Sequence, residues 1–248
     1  MSTHTGAFLH GYGIFETIYA LEGQLRLWNE HWERLERGAS FYQLALPYSS
    51  EEVRATTLDL INKNDLAEAR VRLAVSAESY TSDATLPSVL SISTSLYTRA
   101  HSPVSLRSVK AADVNCPLAS HKSASYSSYM LANRIAKQER YDDALLINES
   151  GHLIECATSN LFLYQQGQWF TPDLSLQGLP GVQRASLINQ FASLHIPLKV
   201  SALNHGGWEA GLVCNSLIGA APISQIDDSV LDVTHPSLLE LLSRLEIQ

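Results

Sequence analysis

The chain is short of positive charge, of cysteine and of long apolar runs. Its 248 residues hold 17 Lys or Arg against 25 Asp or Glu, a formal charge of −8 at pH 7. That balance excludes a general nucleic-acid or membrane-surface binder, since both need a basic face. No stretch approaches the roughly 20 apolar residues of a membrane span. The opening MSTHTGAFLHGYG lacks the charged region followed by an apolar one that marks a leader. The 3 cysteines, Cys116, Cys156 and Cys214, are odd in number and show no CxxC spacing, so neither a disulfide framework nor a zinc site is expected. The 9 histidines are scattered without HExxH, and no metal is expected. What remains is 45% apolar and 17% charged, the balance of a folded globular protein of one or two domains, cytoplasmic and metal-independent.

Periodicity then divides the chain. GIFETIYALEGQLRLW (13–28) alternates around Glu-Gly and reads as a hairpin, after which Asn29 is placed to cap a helix. A second helix begins where Ser49 and Glu52 have capping-box spacing. Strand-like runs follow at 69–77, 88–94 and 103–111. A helix is expected over 123–139, then hairpins turned at Glu149-Ser150-Gly151 and at Gly167, a helix after LPG, three short strands, and a closing helix from about 236. The predicted division is a small α+β domain over 1–112, a connector over 113–121 containing Pro117, and a larger, mostly antiparallel β-rich domain over 122–248 with helices packed around it.

Lysine is also scarce, occurring at 63, 110, 122, 137 and 199. Only Lys122 lies at the domain junction among small neighbours, Ser120, Ser123, Ala124 and Ser125. A lysine at a helix entrance sits at the wrong end of the dipole. A desolvated one is a nucleophile toward carbonyls, including the aldehyde of pyridoxal phosphate (PLP). Glu155 lies inside an apolar strand, HLIECATSNLF, where it can hold a proton on a pyridine nitrogen or simply face water. LPGVQR leaves the N–H groups of Val182 and Gln183 at a helix start, able to bind an anion such as phosphate. Ser216 could add a hydroxyl and Arg34 a guanidinium to the same phosphate. Taken singly, a strand-end serine and a surface arginine are the plainer readings.

The order of these pieces resembles the class IV aminotransferases, the fold-type IV PLP enzymes. The matching segments are HGYGIFETI, EHWERL, KSASYSSYMLA, DDALLINESGHLIECATSNLF, LPGVQRASLI and VCNSLIGAAPI, spanning about 6–226. The resemblance implies a small α+β domain and a larger β-rich domain with PLP between them, in a homodimer. It implies that Lys122 bonds the cofactor and moves the proton, and that Glu155 pairs with the pyridine nitrogen. Tyr126 would lie near the phenolic oxygen. Arg34, the amides of Val182 and Gln183, and Ser216 would hold the phosphate.

Three activities share this frame: branched-chain transamination, D-amino-acid transamination, and 4-amino-4-deoxychorismate lysis to 4-aminobenzoate and pyruvate for folate synthesis. CNSLIGAAPI, GIFETI and KSASYSSYMLA look most like the lyase, acting on a small anionic amino substrate. The alternatives are transamination of D-amino or branched-chain amino acids, and a PLP-fold or interaction protein without turnover. Two departures from the family stand out. The strand and turn that precede GYGIFET are almost absent. The Arg-Gly that often follows the strand ending RLAVS is replaced by SAES, which leaves Arg70, Arg72 or Arg107 to meet a substrate carboxylate. Strand alternation puts Arg70 and Arg72 on one face, expected to point outward.

Overall fold

A computed structural model describes residues 6–78, 84–100, 102–110 and 117–245. The chain forms two compact units. One is built from the residues up to Arg99 together with His121–Tyr126. The other is built from Ala100–Ser120 and from Ser127 onward.

The first unit contains α1 (Gly6–His10), β1 (Gly13–Leu21), β2 (Gln24–Leu25), α2 (Trp28–Phe41), α3 (Ser50–Lys63), β3 (Glu68–Ala77) and β4 (Ser88–Leu96). Its sheet runs β2-β1-β3-β4, all antiparallel. Glu22 and Gly23 turn the first hairpin with positive φ (49° and 72°), a conformation that matches strand twist in a two-residue loop. Period two sends Ile14, Ile18 and Ala20 of β1 to the same face as Ala69, Val71, Leu73 and Val75 of β3. These pack against Trp28, Trp32, Leu35 and Ala39 of α2 and Val53 and Ile61 of α3. Burying each large apolar side chain contributes about 1.5–3 kcal/mol. Ser49 and Glu52 close the capping box of α3 as expected. Asn29, however, lies inside α2; the cap position is Leu27, in the left-handed region and with no side-chain cap bond.

The second unit contains β5 (Val104–Lys110), a 3-10 turn (Pro117–Ser120), α4 (Ser127–Gln138), β6 (Asp143–Ile147), β7 (Leu153–Cys156), β8 (Asn160–Gln165), β9 (Gln168–Pro172), a second 3-10 turn (Leu174–Leu176), α5 (Val182–Ser193), β10 (Leu198–Ser201), β11 (Ala210–Asn215), β12 (Gly219–Ile226), β13 (Ser229–Val230) and α6 (Pro236–Arg244). Its sheet runs β10-β9-β8-β11-β12-β5-β6-β7, with β13 on β12. Three pairs in it are parallel: β9–β10, β5–β12 and β5–β6.

Three expectations change. The strand over 104–110, assigned by sequence to the first domain, pairs with β6 and β12 of the second unit. Lys122–Tyr126, assigned to the second domain, belong to the first unit. The helix expected over 123–139 begins only at Ser127. Each difference is a long-range pairing, which hydrophobic period does not encode. Of the predicted connector, 113–116 lie outside the described residues.

Candidate active site

Lys122 is not at a helix entrance but in an extended segment laid along β1. Phe15 N donates to Lys122 O (2.9 Å), Ala124 N donates to Gly13 O (2.8 Å), and Ile14 and Ser123 form an antiparallel bridge. Ser125 Oγ adds a bond to Gly11 O (3.2 Å). The backbone on both sides of the lysine is therefore tied to the first strand, and its helix-dipole conflict disappears. Its Nζ lies 4.6 Å from the centroid of the buried Phe15 ring and 5.9 Å from that of Tyr126. Phe15 and Tyr126 pack edge to face at 5.6 Å. The guanidinium of Arg72 lies 3.7 Å from the same Phe15 centroid. Two cations thus share one aromatic platform, an arrangement worth most where water is partly excluded. Burial lowers the Arg72 pKa, against a raising influence of Tyr126.

Arg34 is buried on α2, three residues after His31 and on the same side of the helix. Its Nε and Nη2 donate to Glu16 Oε1 and Oε2 (2.8 and 2.6 Å), a two-point clasp. His31 Nδ1 lies 2.6 Å from Glu16 Oε2. Glu16 is the one charged position on the helix-covered face of β1. Burial opposes its ionisation, but Arg34 and His31 outweigh burial and hold the carboxyl at about 2. Burial lowers the His31 pKa against the pull of Glu16, with Arg34 and Lys122 lowering it further. The ring is therefore neutral at pH 7, and as Glu16 is acceptor-only, Nδ1 carries the proton. Sequence reading missed Glu16 and His31. The available signal was a carboxylate inside an apolar strand, the same one that singled out Glu155.

In the second unit Glu155 is buried on β7, 3% exposed, so the water-facing alternative is excluded. Its Oε1 accepts from Tyr129 Oη (3.0 Å) and from the Leu179 amide (3.1 Å), and its Oε2 accepts from Asn160 Nδ2 (3.2 Å). Asn160 Nδ2 also donates to Leu179 O (3.2 Å), tying the LPG loop to β7 and β8. Tyr129 and Asn160 are further residues that sequence reasoning did not identify as partners.

Val182 and Gln183 are the first two residues of α5, both buried, and the N-cap Gly181 supplies no side-chain bond to them. A Cβ on Gly181 would collide with Asn160 Oδ1, so this loop needs glycine there. Ser216 lies in the turn between β11 and β12. Asn215 fastens that turn by accepting from the Leu217 and Ile218 amides (both 2.9 Å) and donating to Thr158 O and Ser159 Oγ (both 3.1 Å).

Of the expected site residues, the structure brings Lys122 and Tyr126 together on Phe15 and places Arg34 on α2 of the same unit. It places Glu155, Val182, Gln183 and Ser216 in the other unit. Arg70 and Arg72 point away from the helix-covered core, as expected, and both are exposed. Arg107 is committed elsewhere, to Glu139 (2.7 Å) and Asp227 (2.8 Å). Among the described residues no group of His, Cys, Asp or Glu could hold a metal ion. No helix among them is long and apolar enough to cross a membrane.

The first unit thus carries an amine on an aromatic platform, and the second carries a buried, clasped carboxylate and a helix start without a side-chain cap. The family model described as amino-transferase class IV matches residues 13–226, and the chain belongs to that family of PLP-dependent enzymes. The probable branched-chain-amino-acid aminotransferase of Rickettsia bellii is 31% identical over 199 residues, covering 77% of this chain and 68% of that protein. The aminodeoxychorismate lyase of Vibrio harveyi is 26% identical over 231 residues, covering 89% and 85%. A crystal structure of a candidate 4-amino-4-deoxychorismate lyase from Legionella pneumophila superposes with a TM-score of 0.89 at 26% identity, covering 98% of this chain and 93% of that one. The fold is fold-type IV.

Proposed function

We propose that the chain is a PLP-dependent lyase converting 4-amino-4-deoxychorismate to 4-aminobenzoate and pyruvate. The observation that carries this reading is the turn at Asn215-Ser216. Its Asn-Ser pair resembles the lyases, whereas branched-chain enzymes carry a Ser-Gly-Thr run. The Asn215 side chain makes four bonds that fasten the turn. A serine there has one donor and could not serve both Thr158 and Ser159. The more complete overlap with the Vibrio harveyi lyase than with the Rickettsia bellii enzyme supports the same choice.

The donor set suits the cofactor: an amine for an aldehyde, a carboxylate for a pyridine nitrogen, and a guanidinium, helix amides and a hydroxyl for a phosphate. When bound, PLP supplies an electron sink. Glu155, held by Tyr129, Asn160 and the Leu179 amide, keeps the proton on the pyridine nitrogen. Tyr126 would lie near the phenolic oxygen. Arg34, the amides of Val182 and Gln183, and Ser216 bind the phosphate. Lys122 would bond the cofactor aldehyde at rest and, once free, would be the base that takes the proton from the amine-bearing ring carbon of the substrate; the ring C–O bond to the enolpyruvyl group would break, enolpyruvate would leave and take up a proton to become pyruvate, and the ring would become aromatic. Arg72 meets a substrate carboxylate. No ion-pair partner for it occurs among the described residues, it lies on the Phe15 ring beside Lys122, and Arg107 is engaged elsewhere.

The test supplies 4-amino-4-deoxychorismate without any amino acceptor and measures pyruvate. Pyruvate release is expected. Keto-acid-dependent transfer from a D-amino or branched-chain amino acid, with no pyruvate, would favour transamination, for which the Rickettsia bellii relative speaks. A colourless chain that takes up no PLP, with no borohydride-fixed label on Lys122, would remove both. A homodimer in the cytoplasm belongs to this reading, and sedimentation at micromolar concentration checks the dimer.

A further inference from the structure

The sheet face of the first unit that turns away from α2 and α3 carries positive charge with little to balance it. Register and alternation set Phe15, Thr17 and Tyr19 of β1 beside Ala74, Arg72 and Arg70 of β3 on that face. Ser91, Ser93 and Ser95 of β4 stand next to the same three β3 residues. Arg70 and Arg72 are both exposed, and neither guanidinium has a hydrogen-bond or ion-pair partner among the described residues. Glu68, the next residue along this face of β3, is engaged by Tyr19 Oη (2.8 Å) and the Arg99 amide (2.7 Å). Like charges side by side on a sheet repel, and Arg70 adds to burial in lowering the Arg72 pKa. A bound anion with two charges would relieve that repulsion.

The cations also lie in a definite order. Lys122 and Arg72 meet at the Phe15 ring, 4.6 and 3.7 Å from its centroid, and Arg70 lies one strand repeat beyond Arg72. That repeat is about 6.5–7 Å. The lyase substrate has one carboxylate on the enolpyruvyl group, beside the amine-bearing carbon, and one on the ring, opposite that carbon. Bonds of about 1.5 Å, bent at each atom, put the two carboxyl carbons about 6–7 Å apart.

We propose that Arg70 is a specificity-determining residue that binds the ring carboxylate, while Arg72, nearer Lys122, takes the enolpyruvyl carboxylate. The proposal rests on the lyase reading and narrows the substrate class to amino dicarboxylates of this span. A branched-chain amino acid, with one carboxylate, would leave Arg70 unmatched.

The experiment titrates three ligands calorimetrically into the PLP-loaded full chain and its Arg70→Leu and Arg72→Leu variants. Chorismate has both carboxylates, benzoate only the ring one, and 2-phenoxyacrylate only the enolpyruvyl one; none has an amine to bond the cofactor. Arg70→Leu should weaken chorismate and benzoate about 10- to 100-fold, the range of a hydrogen bond to a charged group. Its affinity for 2-phenoxyacrylate should stay within about twofold of wild type. Arg72→Leu should weaken chorismate and 2-phenoxyacrylate and spare benzoate. Arg70→Leu, an exposed substitution, should melt within about 2 °C of wild type. Equal weakening of all three ligands by Arg70→Leu, or of none, would overturn the assignment, as would loss of 2-phenoxyacrylate alone. Absence of pyruvate from wild type supplied with 4-amino-4-deoxychorismate would instead sink the lyase reading, an outcome separate from the variant pattern.

Discussion

Replacing Glu16 by glutamine removes the anion that Arg34 and His31 share while keeping the side-chain shape. A carboxyl held at about 2 against an ordinary 4.5 corresponds to about 3.4 kcal/mol of stability at pH 7, at roughly 1.36 kcal/mol per pH unit. Breaking a buried ion pair from one side independently suggests about 3–5 kcal/mol, because the buried Arg34 loses the carboxylate that clasps it. Glu16→Gln should therefore destabilise the first unit by about 3 kcal/mol, or lower its melting temperature by roughly 12–24 °C.

The pH dependence follows from the direction of the shift. The folded-state pKa is depressed, so the contribution is fully present above about 4.5 and is lost as pH falls toward 2. At pH 3 the same relation leaves about 1.4 kcal/mol. Urea unfolding of wild type and variant at both pH values measures the gap, which should shrink by roughly 2 kcal/mol in acid. Glu33→Gln is the control. Its pair with Arg37 is 3.8 Å long and well exposed, so it should change stability by less than about 1 kcal/mol. A Glu16→Gln loss below about 1 kcal/mol at pH 7, or a gap that does not narrow in acid, would refute the clasp as a structural ion pair.

Two further perturbations separate binding from folding. Arg72→Leu should lower kcat/KM for the anionic substrate about 10- to 100-fold while leaving PLP affinity unchanged, the loss of one charge-assisted hydrogen bond; unchanged kcat/KM would remove Arg72 as the carboxylate partner. Gly181→Ala forces Asn160 off its bonds to Glu155 and Leu179 and overfills the loop. A destabilisation of about 2–4 kcal/mol is expected in urea, and a change below about 0.5 kcal/mol would show that the loop absorbs the methyl group.

What the sequence determined by itself is mostly local. The Glu22-Gly23 turn, the Ser49/Glu52 capping box and the helix after LPG depend on neighbours a few residues apart, so chain order suffices to read them. The motif order also identified the family and put Lys122, Glu155 and Arg34 forward. Tertiary structure decided what each of them touches. Lys122 turned out to be held by backbone bonds to β1, more than a hundred residues earlier, instead of opening a helix. Arg34 found its partner on a strand whose facing depends on how β1 lies under α2. β5 crossed into the second sheet because parallel pairing needs distant strands, whose choice period two leaves open. Local bonds are set by spacing along the chain. The clasp on Glu16, the hold on Glu155 and the seat of Lys122 are set by which faces meet after folding.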